Sequence, residues 1–168
     1  MKKPKFLILI LLLIATNEVY SCSCLRTSIK DGFKNSDIIF SGKVVDLKVH
    51  QITDTTTYQK NGKTKFYVVK YREIEFKFEV SKLIKGKLDS NFVAIKTTGG
   101  DSDCGNYFKL GSEHLVYSYK SDLSLDFNQT KKVIPYLTTN LCTRTKELKK
   151  VNIREIKKLE RLAKRNQK

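Results

Sequence analysis

The stretch Glu73-Ile74-Glu75-Phe76-Lys77-Phe78-Glu79-Val80 sets the fold class. Apolar and charged residues alternate without a break, which is the period of a strand with one face buried and one wet. A register slip of one residue would put three glutamates and a lysine in the core, so the pairing is firmly specified. The strand is read over Phe66 to Ile84, and Lys85-Gly86-Lys87 follows it as a turn. Upstream, Asp37 to Val49 is rich in β-branched and apolar residues and reads as a long strand. Gly42 lies inside it, where a bulge or bend is expected. The polar stretch His50 to Lys65 between these two strands predicts a mobile loop or hairpin tip.

Downstream, Val93, Ile95 and Thr97 alternate with Phe92, Ala94 and Lys96 in a third strand. Gly99-Gly100-Asp101-Ser102-Asp103 is a loop presenting Cys104 and Gly105. Leu115–Tyr119 and Lys132–Thr138 give a fourth and a fifth strand, separated by a polar loop, Ser121 to Thr130. A short helix is expected within Leu25–Asn35, with Ile29 and Phe33 on one face. Beyond Thr143, Leu148, Val151, Ile156, Leu159, Leu162 and Ala163 recur at helical spacing among eleven Lys or Arg and three Glu. This basic amphipathic helix either covers one end of the β-structure or lies on a membrane surface or polyanion. The fold class expected is therefore mainly β: a five-stranded OB-fold barrel with a short N-terminal helix and a C-terminal amphipathic helix, a sandwich being the runner-up.

The N-terminus has the form of an export signal. Lys2, Lys3 and Lys5 precede ten apolar residues, Phe6 to Ala15, too few for a bilayer span but the length of a signal-peptide core. A small residue, Ser21, suits cleavage before Cys22. The expected division is a signal peptide over 1–21, a β-domain over 22–148 and a basic helix over 149–168. Removing residues 1–21, with three Lys and one Glu, lowers the net charge from +16 to +14. The cations are spread along the chain, which favours diffuse attraction to an anionic polysaccharide or membrane surface over a specific nucleic-acid site.

Cleavage there would start the chain Cys22-Ser23-Cys24, and the remaining cysteines are Cys104 and Cys142. Thiolate metal binding needs reduced thiols, and no Cys or His cluster of metal-site spacing accompanies the pair. Acylation of Cys22 would make a lipoprotein but leave three cysteines, an odd number. Two disulfides use all four, and sequence alone allows three pairings. His50 and His114 are the only histidines. There is no Ser/His/Asp or Cys/His arrangement and no phosphate loop, so an enzyme is the least favoured class, and no cofactor is called for.

In order along the chain, Cys22-Ser23-Cys24, Phe33-Lys34-Asn35-Ser36-Asp37-Ile38-Ile39, Ile84-Lys85-Gly86, Cys104-Gly105 and Leu141-Cys142 resemble the N-terminal half of the tissue inhibitors of metalloproteinases. The likeness runs from Cys22 to about Leu148. Lys34 stands where that family has a cysteine, so one of its disulfides is missing. Phe40-Ser41-Gly42-Lys43 departs from its Ile-Arg-Ala-Lys run, and its cysteine-rich second half is replaced by the basic helix. The resemblance implies the pairings Cys22–Cys104 and Cys24–Cys142. It implies a secreted inhibitor whose Cys22 α-amine and carbonyl chelate the catalytic zinc of a metalloendopeptidase. Ser23, Cys24, Ser102, Asp103, Cys104 and Gly105 would form the protease contact, with secondary contacts from the 50–65 loop. The netrin-like module shares the barrel without the inhibition. It is the alternative: a binding module, in one form lipid-anchored at Cys22.

Overall fold

The computed structural model describes residues 24–25, 27–99, 104–122 and 134–166. The expected signal peptide, Cys22, Ser23, Ser102, Asp103, most of the 121–130 loop and the first residues of the expected fifth strand lie outside them.

Among the described residues the chain is mainly β with two α-helices: α1 (Ile29–Asn35), β1 (Ile38–Lys60), β2 (Lys63–Lys85), β3 (Phe92–Thr98), β4 (Glu113–Ser121), β5 (Tyr136–Thr138), β6 (Lys146–Glu147) and α2 (Ile153–Asn166). The strands form one sheet in the order β1-β2-β3-β5-β4-β6, and β1 also pairs with β4, so five strands close a circuit of pairings. β3 and β5 run parallel, whereas the other pairs are antiparallel. The two-residue β6 was not anticipated.

Two cores result. Ile38, Phe40, Val44, Ile74, Phe76, Phe78, Val93, Ile95, Phe108 and Val116 fill one, inside the circuit. Phe33, Ile39, Ile84, Leu115, Tyr117 and Leu159 fill the other, between β1, β2 and β4 and the helices. β1 and β4 are thus buried on both faces, which explains why Ile38-Ile39-Phe40 and Leu115-Val116-Tyr117 are continuously apolar. In β2, Ile74, Phe76 and Phe78 are buried, and Val80 packs partly buried against the same core, as the alternation requires. Phe40, Phe76 and Phe78 meet edge-to-face contacts, with Phe108 5.0 Å from Phe76 and 5.1 Å from Phe78. His114 is buried beside Phe108 at 4.8 Å, and burial lowers its pKa, so it is a core residue.

The β1–β2 pairing shifts register between Ser41 and Gly42, where a Cβ would meet the Glu79 carbonyl oxygen at 2.6 Å. This is the expected bulge. The segment His50–Lys65 is not a loop. Its threonines pair residue by residue with β2, and the ribbon continues to a two-residue turn at Asn61-Gly62, both with positive φ. It is the hairpin tip of the two alternatives: β-branched threonine favours strand, and Asn-Gly fits a tight hairpin turn, where polarity alone also suggests a loop.

The helices start later than the apolar periodicity suggests, because caps fix them. Ser28 Oγ accepts the Asp31 amide (3.2 Å) and starts α1. Asn152 Oδ1 accepts the Arg154 amide (2.8 Å) and starts α2. At the end of α1, Lys85 Nζ donates to the carbonyls of Phe33 (2.7 Å) and Ser36. Gly86 (φ +93) turns where a Cβ would lie 2.7 Å from the Asp37 carbonyl oxygen. The apolar stripe of α2 is occupied: Leu159 is fully buried, and Ile156, Leu162 and Ala163 pack on the second core. No helix among the described residues is long and apolar enough to cross a membrane.

Truncating Phe78 would leave a cavity bordered by the rings of Phe40, Phe108 and His114. Phe78→Ala is expected to cost about 3–5 kcal/mol, read from a denaturant titration of the disulfide-bonded protein. A loss below about 1 kcal/mol would contradict this packing.

Candidate functional site

Of the residues singled out by the sequence, Cys24, Cys104, Gly105 and Cys142 are described, and they lie together at one end of the sheet. Cys24 is bonded to Cys142, with Cα atoms 5.0 Å apart across 118 residues of sequence. Closing so long a loop stabilises the fold by roughly 4–5 kcal/mol in chain-entropy models. Cys104 is also disulfide-bonded, and the described residues hold no free cysteine. The expected partner of Cys104, Cys22, lies outside the described residues, as do Ser23, Ser102 and Asp103. The three described sulfurs are thus committed to disulfides, and thiolate ligation of a metal is closed to them.

Backbone hydrogen bonds place Cys104 beside Cys142. The Leu141 amide donates to the Cys104 carbonyl (2.8 Å), and Gly105 bridges Asn140 in antiparallel fashion. The Cys142 amide donates to Asn140 Oδ1 (3.0 Å). At Gly105 a Cβ would lie 2.0 Å from the Thr98 carbonyl oxygen, so the two strands of chain approach as only glycine allows. Cys24, Cys142, Cys104 and Gly105 thus form one ridge. Leu25, 94% exposed, stands on it.

Sequence reasoning missed what holds the ridge in place. Thr27 Oγ1 donates to the Cys142 carbonyl (3.3 Å), and Arg144 Nη1 donates to the Thr27 carbonyl (2.6 Å). Arg144 Nε donates in turn to Glu155 Oε1 (2.9 Å). Glu155, on the first turn of α2, is only 3% exposed and also accepts from Tyr117 Oη (2.8 Å) and Lys146 Nζ (2.7 Å). Gly32 leaves room for this, since a Cβ there would meet the Arg144 Cδ at 2.9 Å. Behind the ridge, Thr139 Oγ1 donates to the Tyr117 carbonyl (2.9 Å) and lies 2.8 Å from Thr143 Oγ1 and Thr145 Oγ1. In the sequence, Arg144 and Glu155 are two more charges in a basic stretch, and only an acidic residue three places after the Asn152 cap hints at anything else.

Burial alone would raise the Glu155 pKa. The hydrogen bonds from Arg144, Lys146 and Tyr117 outweigh it and hold the carboxyl at about 2. Burial, with Glu155 beside it, pushes the Tyr117 phenol up, and the bond to Glu155 raises the Arg144 pKa further.

On the other side of Cys104 lies a cleft of about 230 Å³, lined by Glu73, Lys96, Thr97, Tyr136 and Asn140 among others. Lys96 Nζ pairs with Glu73 Oε1 at 2.9 Å and sits over the Tyr136 ring. Its charges are therefore neutralised within the cleft. Among the described residues, no three His, Cys, Asp or Glu side chains converge in a way that could hold a metal ion.

No protein-family model matches the sequence, and no curated protein matches it. Several of the short motifs read from the sequence have structural work in this chain. Phe33, Ile38 and Ile39 are core residues, Lys85 caps α1, and Gly86 makes the turn.

Glu155 supplies a sign-definite pH dependence. Its folded-state pKa of about 2 lies below the 4.5 of a free glutamate. A depressed pKa stabilises the fold fully above pH 4.5, and that stabilisation is lost as pH falls through about 2. The difference corresponds to about 3 kcal/mol. Glu155→Gln should be less stable than wild type by about that amount near neutrality. The gap should close in denaturant titrations carried toward about pH 2. A gap independent of pH would mean that the carboxylate charge is not the clamp.

Proposed function

We propose that the protein is a secreted inhibitor of zinc metalloendopeptidases, built on an OB-type barrel of five strands with its inhibitory residues in 22–148. The observation that carries this reading is the Cys24–Cys142 disulfide beside Cys104-Gly105, which anchors the chain just after Cys22 onto one end of the sheet. The closed circuit of strand pairings supports the barrel. The motif order from Cys22-Ser23-Cys24 to Leu141-Cys142 supports the likeness to the tissue inhibitors of metalloproteinases.

The chemistry follows from the coordination needs of the target. A catalytic zinc keeps one position for water beside three protein ligands. The α-amine and carbonyl oxygen of Cys22 close a five-membered chelate on that zinc and displace the water. The amine binds in its neutral form, which is accessible because an α-amino group has a pKa near 8. Ser23 enters the protease's specificity pocket, and Ser102, Asp103, Cys104 and Gly105 make the neighbouring contact. The clamp from Glu155 through Arg144 to Thr27 fixes the residues after Cys24 before the protease arrives. Rigidity of that kind lowers the ordering cost of binding. The protein acts as an inhibitor and carries out no reaction of its own.

Adding one alanine before Cys22 leaves the cysteines in place but moves the free amine off the chelating residue. Side-by-side titration of a zinc endopeptidase should show the extended protein weaker by roughly 30-fold to several-thousand-fold. Intact-mass measurement of the exported protein should find Cys22 first and unacylated. Equal inhibition by both forms would remove Cys22 from the role of ligand. An acylated Cys22, with no inhibition across a panel of zinc endopeptidases, would favour the lipid-anchored binding module.

A further inference from the structure

The β1–β2 ribbon runs far past the body of the sheet. β3 pairs with β2 only as far as Glu73, and β4 pairs with β1 only as far as Lys43. From Ile52↔Tyr71 outward the two strands pair only with each other, up to Lys60↔Lys63. At about 3.3 Å per residue the ribbon projects roughly 25 Å.

Its tip is both apolar and basic. Phe66 is 69% exposed, Val68 59%, Tyr67 51% and Tyr58 43%. The alternation puts Phe66 and Val68 on one face and Tyr58 and Tyr67 on the other, where the two tyrosine rings lie 5.8 Å apart. Lys60, Lys63, Lys65 and Lys70 surround them, and no acidic residue occurs from Thr55 to Arg72. A protein partner seated on one face of the ribbon would leave the apolar side chains of the other face in water. A bilayer interface takes up both faces of a narrow tip at once. Aromatic rings favour the headgroup level, and lysines there meet anionic phosphates.

We propose that the tip of this ribbon, residues 58–68, is a membrane-surface anchor for anionic lipid. Phe66, Tyr67 and Val68 enter the interface, and Lys60, Lys63 and Lys65 bind the headgroups. The basic helix α2 is a different surface: its apolar stripe is already packed on the second core. The anchor does not use the zinc-chelating Cys22 amine and requires no lipid on Cys22.

The chain contains no tryptophan, so Phe66→Trp places a single reporter at the tip. With the disulfide-bonded protein and vesicles of phosphatidylglycerol and phosphatidylcholine, its emission should move to the blue and be quenched by brominated acyl chains. Phosphatidylcholine alone should do neither. In vesicle sedimentation, Lys63→Gln with Lys65→Gln should weaken partitioning roughly 30-fold. Phe66→Ser with Val68→Ser should weaken it roughly tenfold or more. Both pairs lie beyond the cores, so circular dichroism and the Cys24–Cys142 bond should be unchanged. Lys157→Gln with Lys158→Gln and Arg161→Gln, on α2, should bind as wild type does. The proposal is overturned by an unshifted reporter, by vesicle binding that the α2 variant abolishes and the tip variants do not, or by binding to a sulfated polysaccharide with none to vesicles.

Discussion

Burying a lone carboxylate costs several kcal/mol, and Glu155 is buried under the first turn of α2. Three donors from three places in the chain make this tolerable: Tyr117 of β4, Arg144 of the segment after β5, and Lys146 of β6. The constraint is mutual. With α2 displaced, Arg144 and Lys146 lose their acceptor, and with Arg144 displaced, Glu155 is left underpaired in a low-dielectric site. A buried ion cluster of this kind contributes little net energy against an apolar equivalent, but it admits one arrangement of its elements. Through the Arg144–Thr27 bond that arrangement extends to the first described residues of the chain.

The two cores divide the work. The inner one fixes strand register through large rings packed edge to face. The outer one binds the helices to the back of β1, β2 and β4. The outer one is tied by charge, through Glu155 and Arg144, to the ridge at Cys24, Cys142, Cys104 and Gly105. The geometry of the ridge therefore depends on helix docking as well as on the sheet, and residues far from it, such as Gly32 and Tyr117, bear on its position.

Much of the sheet was legible because burial on one face writes a period of two. β2 and β3 were read to within a few residues, and Gly42 and Gly86 marked the bulge and the turn where they occur. Two-sided burial in β1 and β4 still left apolar runs that read as strands. On the β1 side, the outer half of the ribbon was legible only as a loop or hairpin tip. Its residues there pair with β2 rather than with a core, so no apolar pattern reports them, and only β-branched threonines and Asn61-Gly62 carried the signal. At the site, the cysteines were visible and the Cys24–Cys142 pairing is present. The clamp was hidden because a buried glutamate in a lysine-rich stretch looks like any solvated one until its partners, 38 and 11 residues away, are placed beside it.

The Cys24–Cys142 bond encloses nearly the whole sheet within one covalent loop. The ribbon, the most extended part of the molecule, lies inside that loop. A peptidase that severed the ribbon at its turn would break the chain without dividing the molecule. The two fragments would stay joined through sulfur and through the remaining strand pairs, and would separate only after reduction and unfolding. That is a tolerance of damage conferred by where one bond is placed.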